Sequence, residues 1–151
     1  MIHELADVQS SKIGQGTNIG QFAVILPQAE IGNNCDIGIR CCIENDVKVG
    51  NNVTLSTGSG LCDGMEVEDD VFIGPNVFFA NDKHPRSKQY PDAFLKTIIK
   101  KGAFIGAGAI IVGGITIGEN AMIGAGSLVN KDVPSGQLWM GSPARYVKDI
   151  E

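Results

Sequence analysis

The sequence predicts an all-β domain: a parallel β-helix of six-residue repeats, about six coils long and interrupted by one inserted loop. Three observations predict it. An aliphatic or aromatic residue recurs at every sixth position from Ile13 to Phe79, through Ile19, Ile25, Ile31, Ile37, Ile43, Val49, Leu55, Leu61, Val67 and Ile73. A longer period lies over it, because GQGTNI from Gly14, GNNCDI from Gly32, GNNVTL from Gly50 and EDDVFI from Glu68 follow one another at eighteen-residue intervals. The composition agrees: glycine is abundant at 20 residues and aromatics are scarce at 6%, as suits a chain that turns often and packs small side chains.

Met1 to Ser10 precede the hexads and are expected to cap the open end of the first unit. From Ile13 onward the residue two before each aliphatic position is small or β-branched, as in Ser11, Thr17, Ala23, Ala29, Cys35, Cys41, Val47 and Val53. Two inward residues at i−2 and i make a short strand, and the rest of each hexad turns a corner. A helix would not keep a strict six-residue period on one face. Glycine commonly follows the aliphatic residue, at Gly14, Gly20, Gly32, Gly38, Gly50 and Gly74, which suits unusual backbone angles or close approach. Three hexads per coil stack Ile13, Ile31, Val49 and Val67 on one side and Ile25, Ile43, Leu61 and Phe79 on another.

After Phe79 the next hexad position expected is 85, but the series resumes at Ile99, fourteen residues late. The inserted loop, about 80–98, is polar and carries His84, one of only 2 histidines. Loops on rigid scaffolds carry binding and catalytic groups, although the same segment would also serve as a surface excursion or an oligomer clamp. The hexads then run through Ile105, Ile111, Ile117, Ile123 and Val129, with IGAG at both Ile105 and Ile123, a strip of stacked small residues. Residues 130–151 leave the repeat and are expected to form a C-terminal cap, with a short helix from Ala144.

The net charge of −5 argues against nucleic acid as a partner. The N-terminus has no secretory pattern and no apolar run approaches a membrane span, so a cytoplasmic protein with no membrane partner is expected. Cys35, Cys41, Cys42 and Cys62 form no CxxC pair; they are expected to fill small-residue slots, and no metal site is expected.

The hexads, the His-Pro in the inserted loop, the paired IGAG motifs and the ending NKDVP…GSPAR resemble the hexapeptide-repeat acyltransferases over nearly the whole chain. The stretches IENDV, DGMEVEDDVFIGPNV and FFANDKHPRSK are similar to the N-acetyltransferases that modify nucleotide-linked 3-amino-3,6-dideoxyhexoses. That resemblance implies a left-handed parallel β-helix, a homotrimer with active sites at subunit interfaces, acetyl-CoA as co-substrate and a dTDP- or UDP-linked amino sugar as acceptor. It also implies site residues. His84 is the candidate base, since histidine is the side chain best suited to accept a proton near neutral pH; the alternatives are a loop histidine that only packs, or a proton passed straight to the leaving sulfur. Asn81 is the second catalytic candidate, and Asn81 and Arg86 would orient the sugar and pyrophosphate. Ala107 and Ala125 match the small positions along the pantetheine arm, Asn130 and Lys131 the pair near the adenosine phosphates, and Arg145 is a further phosphate ligand. Gly20 and Cys62 stand where the family commonly carries aromatic residues.

Competing functions remain at this point. A galactoside- or maltose-type O-acetyltransferase also uses a histidine in a His-Pro loop, and a non-catalytic trimeric solenoid needs none of these residues. A γ-type carbonic anhydrase needs three histidines per metal, which His3 and His84 do not supply. The chain reads as one domain over 1–151, with the option that it is one part of a longer bifunctional polypeptide.

Overall fold

The computed structural model describes residues 1–150 and forms a three-sided parallel β-solenoid of about 7 turns. Each coil places one short strand on each side. The first face stacks Asn18–Ile19, Asp36–Ile37, Thr54–Leu55, Phe72–Ile73, Phe104–Ile105, Met122–Ile123 and Gln137–Gly141. The second carries Asp7–Val8, Val24–Ile25, Cys42–Ile43 and Gly60–Leu61, then Phe78–Phe79, Ile110–Ile111 and Leu128–Val129. The third carries Glu30–Ile31, Lys48–Val49, Met65–Val67, Thr97–Ile99 and Thr116–Ile117, with single bridges at Ile13 and Val133 closing its two ends.

The second residue of nearly every two-residue strand points inward, and Ile25, Ile43, Leu55, Ile73, Ile105, Ile111 and Ile123 are at most 1% exposed. Burying such a side chain contributes about 1.5–3 kcal/mol, and stacking identical positions lets branched side chains interlock coil after coil. Where hydroxyls replace aliphatics in the core they find carbonyls: Ser59 Oγ donates to Gly74 O at 2.7 Å and accepts from Val77 N at 2.9 Å. Among the described residues no buried side-chain nitrogen or oxygen lacks a partner.

The corners divide two roles that the sequence left joined. Left-handed φ falls on Asn34, Asn52, Asp70 and Asn120 and on Gly58, Gly108 and Gly126, at the tips of the turns. The glycines that directly follow the aliphatic residue serve close approach instead. A Cβ on Gly38 would lie 2.7 Å from Thr57 N in the next coil.

Four expectations need correction. The solenoid has about 7 turns rather than about six, because Ile2 bridges to Ile19 and Asp7–Val8 pairs with Val24–Ile25, so residues 1–10 form a coil rather than a separate cap. Periodicity missed this coil because its register slips: Val8 pairs with Ile25, seventeen residues on, while Ile13 pairs with Ile31, eighteen residues on. The loop ends at Lys96, since Thr97 and Ile98 already belong to a strand. There is no terminal helix among the described residues; Ala144–Asp149 runs antiparallel to Gln137–Gly141, filling the edge that the last first-face strand would otherwise leave unpaired. The cap is therefore this hairpin, while Val133 still belongs to the third face. The expected domain extends to Glu151, which lies outside the described residues.

The cysteines divide. Cys35 and Cys41 are buried in small-residue slots as expected, Cys62 is half-buried, and Cys42 is exposed on the second face.

Candidate functional site

The inserted loop leaves the solenoid at the corner between the second and third faces. There it starts after Phe78–Phe79 and returns into Thr97–Ile99. At its neck Leu95 N donates to Asn81 O at 3.1 Å and Asn81 Nδ2 donates to Asp63 O at 3.1 Å. Beyond the neck the residues from Lys83 to Phe94 are exposed. His84 opens a turn in which its backbone N–H donates to Asp82 Oδ1 at 2.9 Å, and the residue is exposed. Arg86, also exposed, donates through Nη1 to Pro85 O at 2.9 Å.

Asn130 and Lys131 occupy the same corner two coils further on, both exposed. Ala107 and Ala125 lie elsewhere, at the corner between the first and second faces. Consecutive coils stack there through Gly108 N to Pro75 O at 2.9 Å and Gly126 N to Ala107 O at 2.8 Å. Neither Gly108 nor Gly126 would bring an added Cβ within 4 Å of another atom, so this corner is a smooth ledge of backbone and methyl groups. Arg145 pairs with Met140 in the terminal hairpin, whose Met140 side chain packs on Gly124, which puts Arg145 above the same ledge. The expected residues thus gather on two edges: Ala107, Ala125 and Arg145 on one, Asn81, His84, Arg86, Asn130 and Lys131 on the other. The second face separates them, roughly 15 Å of chain at ~3.3 Å per residue.

The three faces differ in what they present outward. The third carries alternating charges, with Lys12 Nζ 2.8 Å from Glu30 Oε1 and Lys96 Nζ 3.1 Å from Glu66 Oε2. The second is apolar toward its C-terminal half, where Phe78 is 54% and Ile110 49% exposed. The first holds Phe72 stacked on Phe104, ring centroids 5.2 Å apart and nearly parallel, and ends in the terminal hairpin, where Tyr146 is exposed.

Below the loop lies an acidic group that the sequence reading did not single out. Asp63 N donates to Glu44 Oε2 at 2.9 Å. Burial pushes the Asp63 carboxyl above its ordinary range, and the charges of Glu44 and Asp46 push it the same way. Burial also raises the neighbouring Cys62 thiol to about 11, Glu44 adding to the shift, so this sulfur is protonated at neutral pH and is no thiolate nucleophile. Glu44 and Asp63 stand in the stretches IENDV and LCDGM one coil apart, and their spacing of nineteen rather than eighteen residues hid the contact. Among the described residues no group of three or more His, Cys, Asp or Glu is arranged to hold a metal.

Comparison with known proteins agrees with this arrangement. Residues 10–43 and 96–131 match the bacterial transferase hexapeptide (six repeats) model, and residues 28–62 match the hexapeptide repeat of succinyl-transferase. The chain is 56% identical over 144 residues to a dTDP-3-amino-3,6-dideoxy-alpha-D-galactopyranose 3-N-acetyltransferase from Aneurinibacillus thermoaerophilus, covering 95% of this chain and 75% of that one. A perosamine N-acetyltransferase variant from Caulobacter crescentus, solved with CoA and GDP-perosamine, superposes with a TM-score of 0.77 at 25% identity, over 88% of this chain and 57% of its own. A galactoside O-acetyltransferase from Lactococcus lactis is 37% identical over 91 residues, which is 56% of this chain and 43% of that one. Stacked hexads, the matching hexapeptide models and the extended identity to a sugar-nucleotide N-acetyltransferase lead to one assignment: the chain belongs to the hexapeptide-repeat acetyltransferases.

Proposed function

We propose that this protein transfers the acetyl group of acetyl-CoA to the amino group of a nucleotide-linked 3-amino-3,6-dideoxyhexose, as a cytoplasmic homotrimer whose sites lie between neighbouring chains. The observation that carries the reading is the 56% identity, over 95% of the chain, to an enzyme named for that reaction on a dTDP-linked sugar. The same name favours dTDP over UDP as the carrier.

The division of the candidate residues supports sites shared between chains. Two edges of one prism face different directions, but in a closed ring the ledge of one chain comes opposite the loop edge of the next. The apolar second face and the Phe72–Phe104 stack fit burial against neighbours, and the alternating charges of the third face fit exposure to water.

The ledge at Ala107 and Ala125 fits an extended, narrow ligand arm, since larger side chains there would occupy the open space beside Gly108 and Gly126. Bound acetyl-CoA supplies an activated acyl carbon and a thiolate leaving group able to take up the proton that an attacking amine gives up. Arg145 and Lys131 are the cations available to its phosphates, and Arg86 offers a planar donor pair to the sugar's pyrophosphate. His84, exposed on the loop, orients the acceptor and assists proton removal. For an amine nucleophile that assistance is small.

The relation to galactoside O-acetyltransferases keeps a second reading alive, because a hydroxyl nucleophile depends on a base and His84 lies in a His-Pro loop. Measuring kcat for parent and His84→Ala on a dTDP-linked 3-amino sugar and on a galactoside separates the two. The proposal expects turnover of the amino sugar alone and a loss of about tenfold, equivalent to ~1.4 kcal/mol. Rapid galactoside turnover with a loss above about a thousandfold would decide for O-acetylation.

A further inference from the structure

The geometry points to Asn81 and Glu44, joined through the Asp63 backbone, as positioning residues: together they form a clasp that fixes the neck of the inserted loop to the solenoid and sets where His84 and Arg86 are presented. This inference rests on the proposed function only in treating the loop as a border of the acceptor site.

The hydrogen bonds within 82–94 are local ones. His84 N donates to Asp82 Oδ1, and Gln89 N to Arg86 O at 3.1 Å. A segment tied only to itself takes its orientation from its ends, so the neck decides where the loop points. One bond closes the neck and two more link it to the coils beneath. Leu95 N donates to Asn81 O and closes the two limbs on each other, Asn81 Nδ2 donates to Asp63 O, and Asp63 N donates to Glu44 Oε2. Glu44 is itself anchored by its N–H to Leu61 O at 3.0 Å. At the same corner Asn45 Oδ1 accepts from Gln28 N in the preceding coil, whereas Glu44 reaches the other way, toward the coil that carries the neck.

Packing holds the neck from both sides. A Cβ on Gly113, in the coil above, would lie 2.7 Å from Ala80 O and 3.0 Å from Asn81 Cα. On Gly64, in the corner below, it would lie 3.3 Å from Leu95 O. The outgoing and returning limbs are therefore packed between two corners, tightly at Gly113 and more loosely at Gly64. Asn81 spends one of its amide hydrogens on the scaffold, which gives it a role in holding the loop besides the roles toward the acceptor expected from sequence.

The test uses the full chain with Asn81→Ala, Glu44→Ala and Glu44→Gln, where glutamine keeps an oxygen acceptor for Asp63 N. Limited trypsin digestion reads the loop directly through exposed Lys83, Arg86 and Lys88, and kcat and KM with the dTDP-linked amino sugar read its consequence. The clasp predicts at least fivefold faster loop cleavage and at least tenfold lower kcat/KM for both alanine variants, with unchanged KM for acetyl-CoA. Glu44→Gln should recover most of both. Loop cleavage at the parent rate in both alanine variants, or Glu44→Gln as impaired as Glu44→Ala, overturns the proposal. If cleavage follows the prediction while even the parent fails to acetylate any amino sugar, the clasp stands and the functional reading falls.

Discussion

Asp63 carries an electrostatic cost that the loop's foundation imposes. Its carboxyl is raised above the ordinary value of 3.8 by burial first and then by Glu44 and Asp46. A raised acid holds its proton more tightly folded than unfolded, so its contribution to stability is fully present below 3.8 and is lost as pH rises through the shifted value. Asp63→Asn removes the charge and keeps the backbone atoms that hold Asn81 and Glu44. It should raise Tm at pH 7, with the gain shrinking as pH falls toward 3.8; a gain of equal size across that range would contradict the assignment of the shift. His84, Asn81 and Arg86 were legible as candidates because a polar insertion in a strict repeat announces itself. Glu44 and Asp63 were not, since their meeting depends on a corner in which one coil reaches past the regular eighteen-residue offset.

Corners and strands obey different rules, and glycine substitutions separate them. Gly74→Ala would put a Cβ 2.8 Å from Ala107 N and 3.0 Å from Ile105 O, both backbone atoms of the next coil, so the coils must part. Gly136→Ala meets no atom within 4 Å and pays only for its φ of 69°. Thermal melts should show a loss of about 2–4 °C for Gly136→Ala, about 1 kcal/mol in a chain of this size, and at least twice that for Gly74→Ala. Equal losses would mean that the inter-coil spacing described above is wrong. The strands themselves were legible residue by residue from Ile13 to Val129, because an inward position every sixth residue admits few alternatives. What escaped lay at the ends. The first coil hides behind a one-residue slip near Val8, and the terminal hairpin forms because an edge needed a partner, a tertiary demand that local propensity around Ala144 does not reveal.

At the scale of the whole molecule, the outward side chains predict which faces meet. Phe78→Glu with Ile110→Glu places charge on the apolar second face and should convert the proposed trimer of three 15.9 kDa chains to monomers in sedimentation. Glu30→Ala on the charged third face should leave the trimer intact. If the third-face change dissociates the assembly and the second-face pair does not, the packing is inverted.

The central claim is that one site draws its ledge from one chain and its loop from the next, and mixed assemblies test it most directly. A chain with Ala107→Trp and Ala125→Trp obstructs the ledge, and a chain lacking loop residues 83–93 removes the other edge; each should be inactive alone. Co-expressed with different affinity tags and purified through both, every mixed trimer contains one interface with an intact ledge facing an intact loop, so shared sites predict about one third of parent activity. Mixed trimers as inactive as either variant would contradict the account, because each chain would then carry its whole site by itself.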